Sequence, residues 1–145
     1  LDERARNDAG VMEGLLAGGD QYRPMGDLGS ALAHYHRART RAADGQRRRD
    51  GVLAARRLAT LYDLMGRYDS ADAWRAAARK DMAPRDSWSD ERALAVDEID
   101  ARVRSGPTDS AITRVRDLLA RARAREEVND EAALLRRLAD LHLAR

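Results

Sequence analysis

Apolar residues along the chain recur at helical spacing, and no run of β-branched residues is long enough to suggest a strand. Leu58, Leu61, Tyr62 and Met65 stand at i, i+3, i+4 and i+7, one stripe on one helix. Gly66 ends that helix, and Tyr68, Ala71, Trp74 or Arg75, and Ala78 form a second stripe, with small residues where helices cross closely. Leu28, Ala31, Leu32, Tyr35 and Ala38 show the second pattern earlier in the chain, with Gly45 as the expected C-cap. Further on, Val96, Ile99 and Val103 make one stripe, and Ala111, Val115, Leu118, Leu119 and Ala122 another. Helix starts are expected at Asp50, at Ser89 with Asp90 and Glu91, and at Asn129 with Asp130 and Glu131, where short polar side chains cap and acids suit the helix dipole. The spacing predicts seven helices, at 6–22, 27–43, 51–65, 68–80, 90–104, 109–125 and 130–144. Gly18, Gly19 and Pro24 weaken the first of them. The segment 81–89, with Pro84 and Trp88, is the longest connection and the expected joint.

The stripes belong to a repeat. Gly26, Gly66 and Gly106 are forty residues apart, and Ala31, Ala71 and Ala111 each follow five residues later. Arg56-Arg57-Leu58-Ala59 recurs as Arg136-Arg137-Leu138-Ala139, two periods on. These markers predict one helical-repeat domain over 1–145, with repeats at 8–45, 50–84 and 89–127 and a partial repeat or capping helix at 129–145.

Composition narrows the class. Hydrophobic residues make up 43% of the 145, aromatics only 4%, and phenylalanine is absent. Alanine, leucine and arginine dominate, all strong helix formers, so an all-α fold is expected. Charged residues reach 36% with a net charge of +2, so the two signs are interspersed and the pI near 9.4 points only weakly to nucleic acid. Lys80 is the only lysine, which fits a GC-rich bacterial genome. With no cysteine, disulfides and thiolate chemistry are excluded. No apolar run approaches the roughly 20 residues of a membrane span. The chain begins at Leu1, from which we expect an excised domain or a processed product; the expected location is cytoplasmic.

Candidate chemistry is sparse. His34 and His36, two apart on a helix, point about 200° apart and cannot share a metal. His142 takes the aromatic position of the last repeat, where a partly buried packing role is expected. Glu126 with Glu127, and Asp97 with Asp100, read as solvated faces rather than acid/base dyads. Neither a phosphate-binding glycine loop nor a serine nucleophile motif occurs. We therefore expect no enzyme, no cofactor and no metal. Arg37, Arg39, Arg41, Arg47, Arg48 and Arg49 cluster around one helix end, where the dipole favours them; a phosphate-contacting patch is the alternative.

The span Ala54–Pro84 resembles a tetratricopeptide repeat: Leu58, Ala59 and Tyr62 in the first helix, Gly66 and Tyr68 at the turn, Ala71 and Ala78 in the second. Gly19, Tyr22, Ala31, Tyr35 and Ala38 fit the same pattern one period earlier, more closely than a HEAT or armadillo pattern would. The forty-residue period departs from the family's thirty-four, and Gly106-Pro107-Thr108 departs from its turn. The resemblance implies a right-handed α–α superhelix, a solenoid of about seven antiparallel helices, whose first helices line a concave face. On that face the residues expected to point away from the second helices are Leu53, Arg56, Thr60, Asp63 and Leu64; Leu94, Asp97, Ala101 and Arg104; and Ala133, Arg136, Asp140 and Leu143. A clamp for a peptide's C-terminal carboxylate is not implied, because Lys80 lies on a second helix and the only asparagines are Asn7 and Asn129. The expected function is that of a protein-interaction scaffold within a larger bacterial regulatory or assembly protein, binding a peptide or protein partner. The alternatives are nucleic-acid binding through Arg37–Arg49 and self-association through 130–145, where Leu134, Leu135, Leu138, Leu141 and Leu143 surround a helix without a mate.

Overall fold

The computed structural model describes residues 3–105 and 108–144, and in them the chain is helical throughout, without strands. Its helices are α1 (Glu3–Tyr22), α2 (Leu28–Asp44), α3 (Arg48–Leu64), α4 (Tyr68–Asp81), α5 (Trp88–Ser105), α6 (Thr108–Ala124) and α7 (Val128–Leu143). None is long and apolar enough to cross a membrane. From α2 onward they begin at 28, 48, 68, 88, 108 and 128, so the forty-residue sequence period is two steps of twenty.

One turn design joins most of them. Gly26, Gln46, Gly66 and Glu126 all take positive φ, between 53° and 79°. After α2, the Gln46 amide donates to the Ala43 carbonyl and the Arg47 amide to that of Ala42. Gly66 to Asp63 with Arg67 to Tyr62, and Glu126 to Arg123 with Glu127 to Ala122, repeat that pair. This is the Schellman arrangement, which satisfies orphan carbonyls and reverses the chain within four residues. Gly45 is the C-cap as expected, but the left-handed residue is its neighbour Gln46. The expected turn at Gly106 lies outside the described residues.

Helix starts differ from the expected caps. Helix α3 begins before Asp50, which sits in its first turn and accepts from Arg47 Nε at 2.6 Å. Helix α5 is opened by Ser87 rather than Ser89, the Ser87 hydroxyl accepting from the Asp90 amide at 3.2 Å. Asn129 lies inside α7, whose cap position, Glu127, makes no side-chain cap bond. Among the described residues, only Asp27 caps as carboxylates typically do, accepting from the Ser30 amide at 3.1 Å.

The chain gathers into two compact units, Leu1–Asp86 with α1–α4 and Ser87–Arg145 with α5–α7, divided within the long 81–89 connection. The first unit buries Met12, Leu16, Ala31, Tyr35, Ala38, Ala42, Ala54, Leu58 and Leu61 in one cluster. In the second, Ile99, Ala111, Ile112, Val115, Leu118, Leu119, Ala122, Leu134 and Leu141 do the same. Val103, expected in that stripe, is 39% exposed.

Helix α1 runs unbroken through Gly18 and Gly19. The reason is close approach rather than disruption. A Cβ on Gly19 would collide with the Tyr35 ring, and one on Gly18 would sit 2.7 Å from the His34 ring. Two glycines thus let α2 lie against α1 with an aromatic ring between them. Gly14, by contrast, has nothing within 4 Å of its would-be Cβ. Gly14→Ala should therefore stabilise the chain by up to about 1 kcal/mol through helix propensity. Gly19→Ala should destabilise it by roughly 1–3 kcal/mol through overpacking. Urea midpoints of the two variants, moving in opposite directions, are the check.

Candidate interaction surfaces

The residues expected on the concave face separate into three groups. Leu64, Arg104, Ala133, Arg136, Asp140 and Leu143 are exposed. Leu53, Arg56, Thr60 and Asp97 are half-buried; Leu53 packs against the first core, and the Thr60 hydroxyl donates to the Arg56 carbonyl at 3.2 Å. Three others do not face outward. Asp63 turns towards the second helix, accepting from Arg75 Nη1 at 2.6 Å, because Arg75 is buried and needs a counter-charge. Leu94 is 0% and Ala101 7% exposed.

The last two misplacements have one cause. Forty residues before Leu94 and Ala101 stand Ala54 and Leu61, and forty after stand Leu134 and Leu141, all buried. The outward row of α5 is thus displaced by one residue from the expected one: Ala93, Val96, Asp100 and Val103 answer Leu53, Arg56, Thr60 and Asp63. Val96, expected in the core stripe, packs against the second core while lying partly exposed on this row. It helps line a groove of about 230 Å3 between α5 and α7, together with Arg92, Asp130, Ala133, Arg136, Arg137 and Asp140. Asp130 is fixed there by Trp88 Nε1 at 2.8 Å and Arg92 Nε at 3.0 Å. The groove therefore offers a floor of small aliphatics between carboxylates and guanidinium groups.

An electrostatic brace holds α1, α2 and α3 together. Asp20 accepts from the Tyr35 hydroxyl at 2.5 Å and from Arg57 Nε at 2.7 Å. Burial pushes the Asp20 carboxyl up, but the Tyr35 and Arg57 hydrogen bonds and the nearby cationic charge outweigh it and hold it below the usual range. Burial and the bond to Asp20 push the Tyr35 hydroxyl up to about 12.

Eighty residues on, contacts recur at matching positions. Arg137 pairs with Asp100 at 3.2 Å, as Arg57 does with Asp20. His36 Nε2 meets the Tyr62 hydroxyl at 3.3 Å, and Arg116 meets His142 at 3.4 Å. Arg41 pairs with Asp8 at 3.0 Å, and Arg121 lies over the Trp88 ring at 5.5 Å. His142, expected to be partly buried, is exposed.

The arginine cluster is largely engaged within the first unit. Arg39 donates to the Gly51 carbonyl at 2.8 Å and to Asp81 at 2.7 Å, while Arg47 pairs with Asp50. Arg48 grips Asp86 through both terminal nitrogens at 2.6 Å. The Arg48 bond and the Ala83 amide hold the Asp86 carboxyl down at about 2. Arg37 and Arg41 instead line a recess between α1 and α2 with Val11, Leu15, His36, Thr40 and Asp44. Burial lowers the pKa of His36, whose ring packs edge-on against Trp74 at 5.5 Å. His34 faces elsewhere, its Nδ1 on the Ser30 carbonyl at 2.8 Å. Among the described residues, no three His, Asp or Glu side chains gather as a metal site would require.

Comparison with known protein families and with curated proteins finds no match to this chain.

Two outcomes test these assignments. Asp63→Ala should lower unfolding free energy by roughly 1.5–3 kcal/mol, the worth of a hydrogen bond to a charged group; denaturant titration reads it. The raised Tyr35 pKa means its stabilising contribution is complete below the unfolded value near 10 and is lost as pH rises towards 12. Urea midpoints should therefore fall more steeply between pH 10 and 12 in the wild type than in Tyr35→Phe.

Proposed function

We propose that this chain is a protein-interaction scaffold, built as a right-handed tetratricopeptide-like superhelix and binding a peptide or protein partner along its first-helix face. The observation that carries the reading is the α5–α7 groove, where the apolar Val96, Ala133 and Leu134 lie among Arg92, Arg136, Arg137, Asp130 and Asp140. Backbone and side-chain groups of mixed sign along an extended ligand find partners in such a lining, and the aliphatic floor gives apolar anchors a seat. Recurrence of the Arg57–Asp20 relation as Arg137–Asp100 supports the repeat architecture on which the reading rests. Pairing of Arg39, Arg47 and Arg48 with carboxylates of their own unit favours this reading over nucleic-acid binding through Arg37–Arg49.

A regulatory or assembly role in a larger bacterial protein is the context in which such a scaffold acts, by analogy of fold. The test is selection of displayed random peptides on the 145-residue chain, with affinities measured by titration calorimetry. Reversing both exposed groove charges, Arg136→Glu with Asp140→Lys, should weaken selected peptides at least tenfold, which is about 1.4 kcal/mol. Thermal stability should hardly change. Peptides that bind equally well to the doubly reversed chain would remove the groove from the proposal.

A further inference from the structure

The connection between α4 and α5 runs from Met82 to Ser87, and it is bonded over most of its length. Met82 continues the helical pattern, its amide donating to the Ala78 carbonyl at 3.0 Å. Ala83 and Asp86 then close a turn from both ends. The Asp86 amide donates to the Ala83 carbonyl at 3.0 Å, and the Ala83 amide to Asp86 Oδ2 at 2.8 Å. Ser87 already belongs to α5, its hydroxyl accepting from the Asp90 amide and its carbonyl from the Glu91 amide. The boundary between the two compact units falls between Asp86 and Ser87.

One side chain ties this turn to the body of the first unit. Arg48, the first residue of α3, donates to both carboxylate oxygens of Asp86 at 2.6 Å and to the Asp81 carbonyl at 3.0 Å. It thus spans from the last residue of α4 to the last residue of the unit. The guanidinium fork matches a planar carboxylate, and the Asp86 side chain is only 6% exposed, so solvent screens the pair little. A four-residue turn closed by two bonds of its own does not offset the entropy of ordering it. The contact from Arg48 therefore decides whether the turn stays in place. The Arg48 bond also holds the Asp86 carboxyl down at about 2, so the pair is fully charged at neutral pH.

We propose that Arg48 is a clasp that sets the length of the tether between the two units. With the clasp closed, Met82–Asp86 is part of the first unit, and backbone freedom is confined to the link between Asp86 and Ser87. With it open, the six residues Met82–Ser87 become a tether that extends about 20 Å, at roughly 3.3–3.6 Å per residue. A short connection fastened at one point thereby switches between a pivot and a flexible linker. This inference is independent of the α5–α7 groove.

Arg48→Met keeps the aliphatic stem and removes the guanidinium. In the 145-residue chain this variant should exchange its Ala83 and Asp86 amides at least about tenfold faster than the wild type, while Leu58 and Leu61 in the α3 core keep their rates. Arg48→Lys, which keeps the charge and loses the fork, should fall between the two. Asp86→Asn, which keeps an acceptor for the Ala83 amide, should speed exchange as well. The sequence has no cysteine, so spin labels placed through Ala43→Cys and Ala120→Cys, both exposed, report one distance from unit to unit. Adding Arg48→Met should widen the distribution of that distance by on the order of 10 Å. Unchanged exchange at Ala83 and Asp86 overturns the clasp, since the turn then stands without Arg48. Faster exchange with an unwidened distribution overturns the switch in tether length. Equal loss of protection at Leu58 and Leu61 overturns it too, by assigning Arg48 to the stability of the whole unit.

Discussion

Close approach of helix backbones at alanine and glycine is the constraint on which the molecule rests. With no phenylalanine and few aromatics, bulky side chains cannot fill wide gaps between helices. Ala31, Ala38, Ala54, Ala71, Ala78 and Ala111 are instead completely buried. Each contributes little apolar area, so the apolar contribution per helix is modest at about 25 cal/mol per Å2. What alanine supplies is proximity, which multiplies dispersion contacts between the larger residues beside it. Gly19 is the limiting case, where even a methyl group would displace the Tyr35 ring.

Thin cores leave much of the positioning to charge. One position, repeated every forty residues in the second helices, holds Tyr35, Arg75 and Val115, all buried. Valine there needs nothing further. Tyrosine needs an acceptor and finds Asp20; arginine needs counter-charge and finds Asp63 with Asp72. Burial opposes the Arg75 charge, but those two carboxylates outweigh it and raise its pKa above the ordinary value. The high charge content with small net charge is thus partly internal scaffolding, which is why composition alone gave so weak a pointer to any polyanionic partner.

The helices were legible because their stripes are long and their turns fall at regular intervals; every predicted helix lies within three residues of an observed end. Less could be read at the turns. Glycine marks the left-handed residue at Gly26 and Gly66, but Gln46 and Glu126 hold the same conformation without that signature, so the twenty-residue step stayed hidden behind a forty-residue one. The RRLA string gives α3 and α7 a common register, in which Ala133, Arg136 and Asp140 are exposed while Leu53, Arg56 and Thr60 are half-buried. In α5 no such string exists; of the stripe Val96, Ile99 and Val103, Ile99 is in the core and Val96 packs against it, but Val103 is exposed, and Leu94 and Ala101, expected one step away on the surface, are buried. A helix rotates 100° per residue, so that single step was enough to exchange core for surface. The pairing of Asp63 with Arg75 could not be read from periodicity, since it depends on a charge on a neighbouring helix.

The recurring contacts separate what the architecture requires from what it leaves variable. Arg57–Asp20 and Arg137–Asp100 keep both position and chemistry, which is expected where the same two helix faces must be held at the same spacing. The other recurrences keep position and change chemistry. An exposed ion pair, Arg41–Asp8, becomes a cation over the face of Trp88. His36 with Tyr62 becomes Arg116 with His142. Each replacement still joins the same pair of positions, so the backbone relation survives while the surface it presents does not. Exposed pairs of this kind contribute little to stability, typically below about 1 kcal/mol, and can be exchanged at small energetic cost. Differences between the two units' surfaces are therefore free to serve recognition, while their shared alanine crossings and the Arg–Asp brace are not.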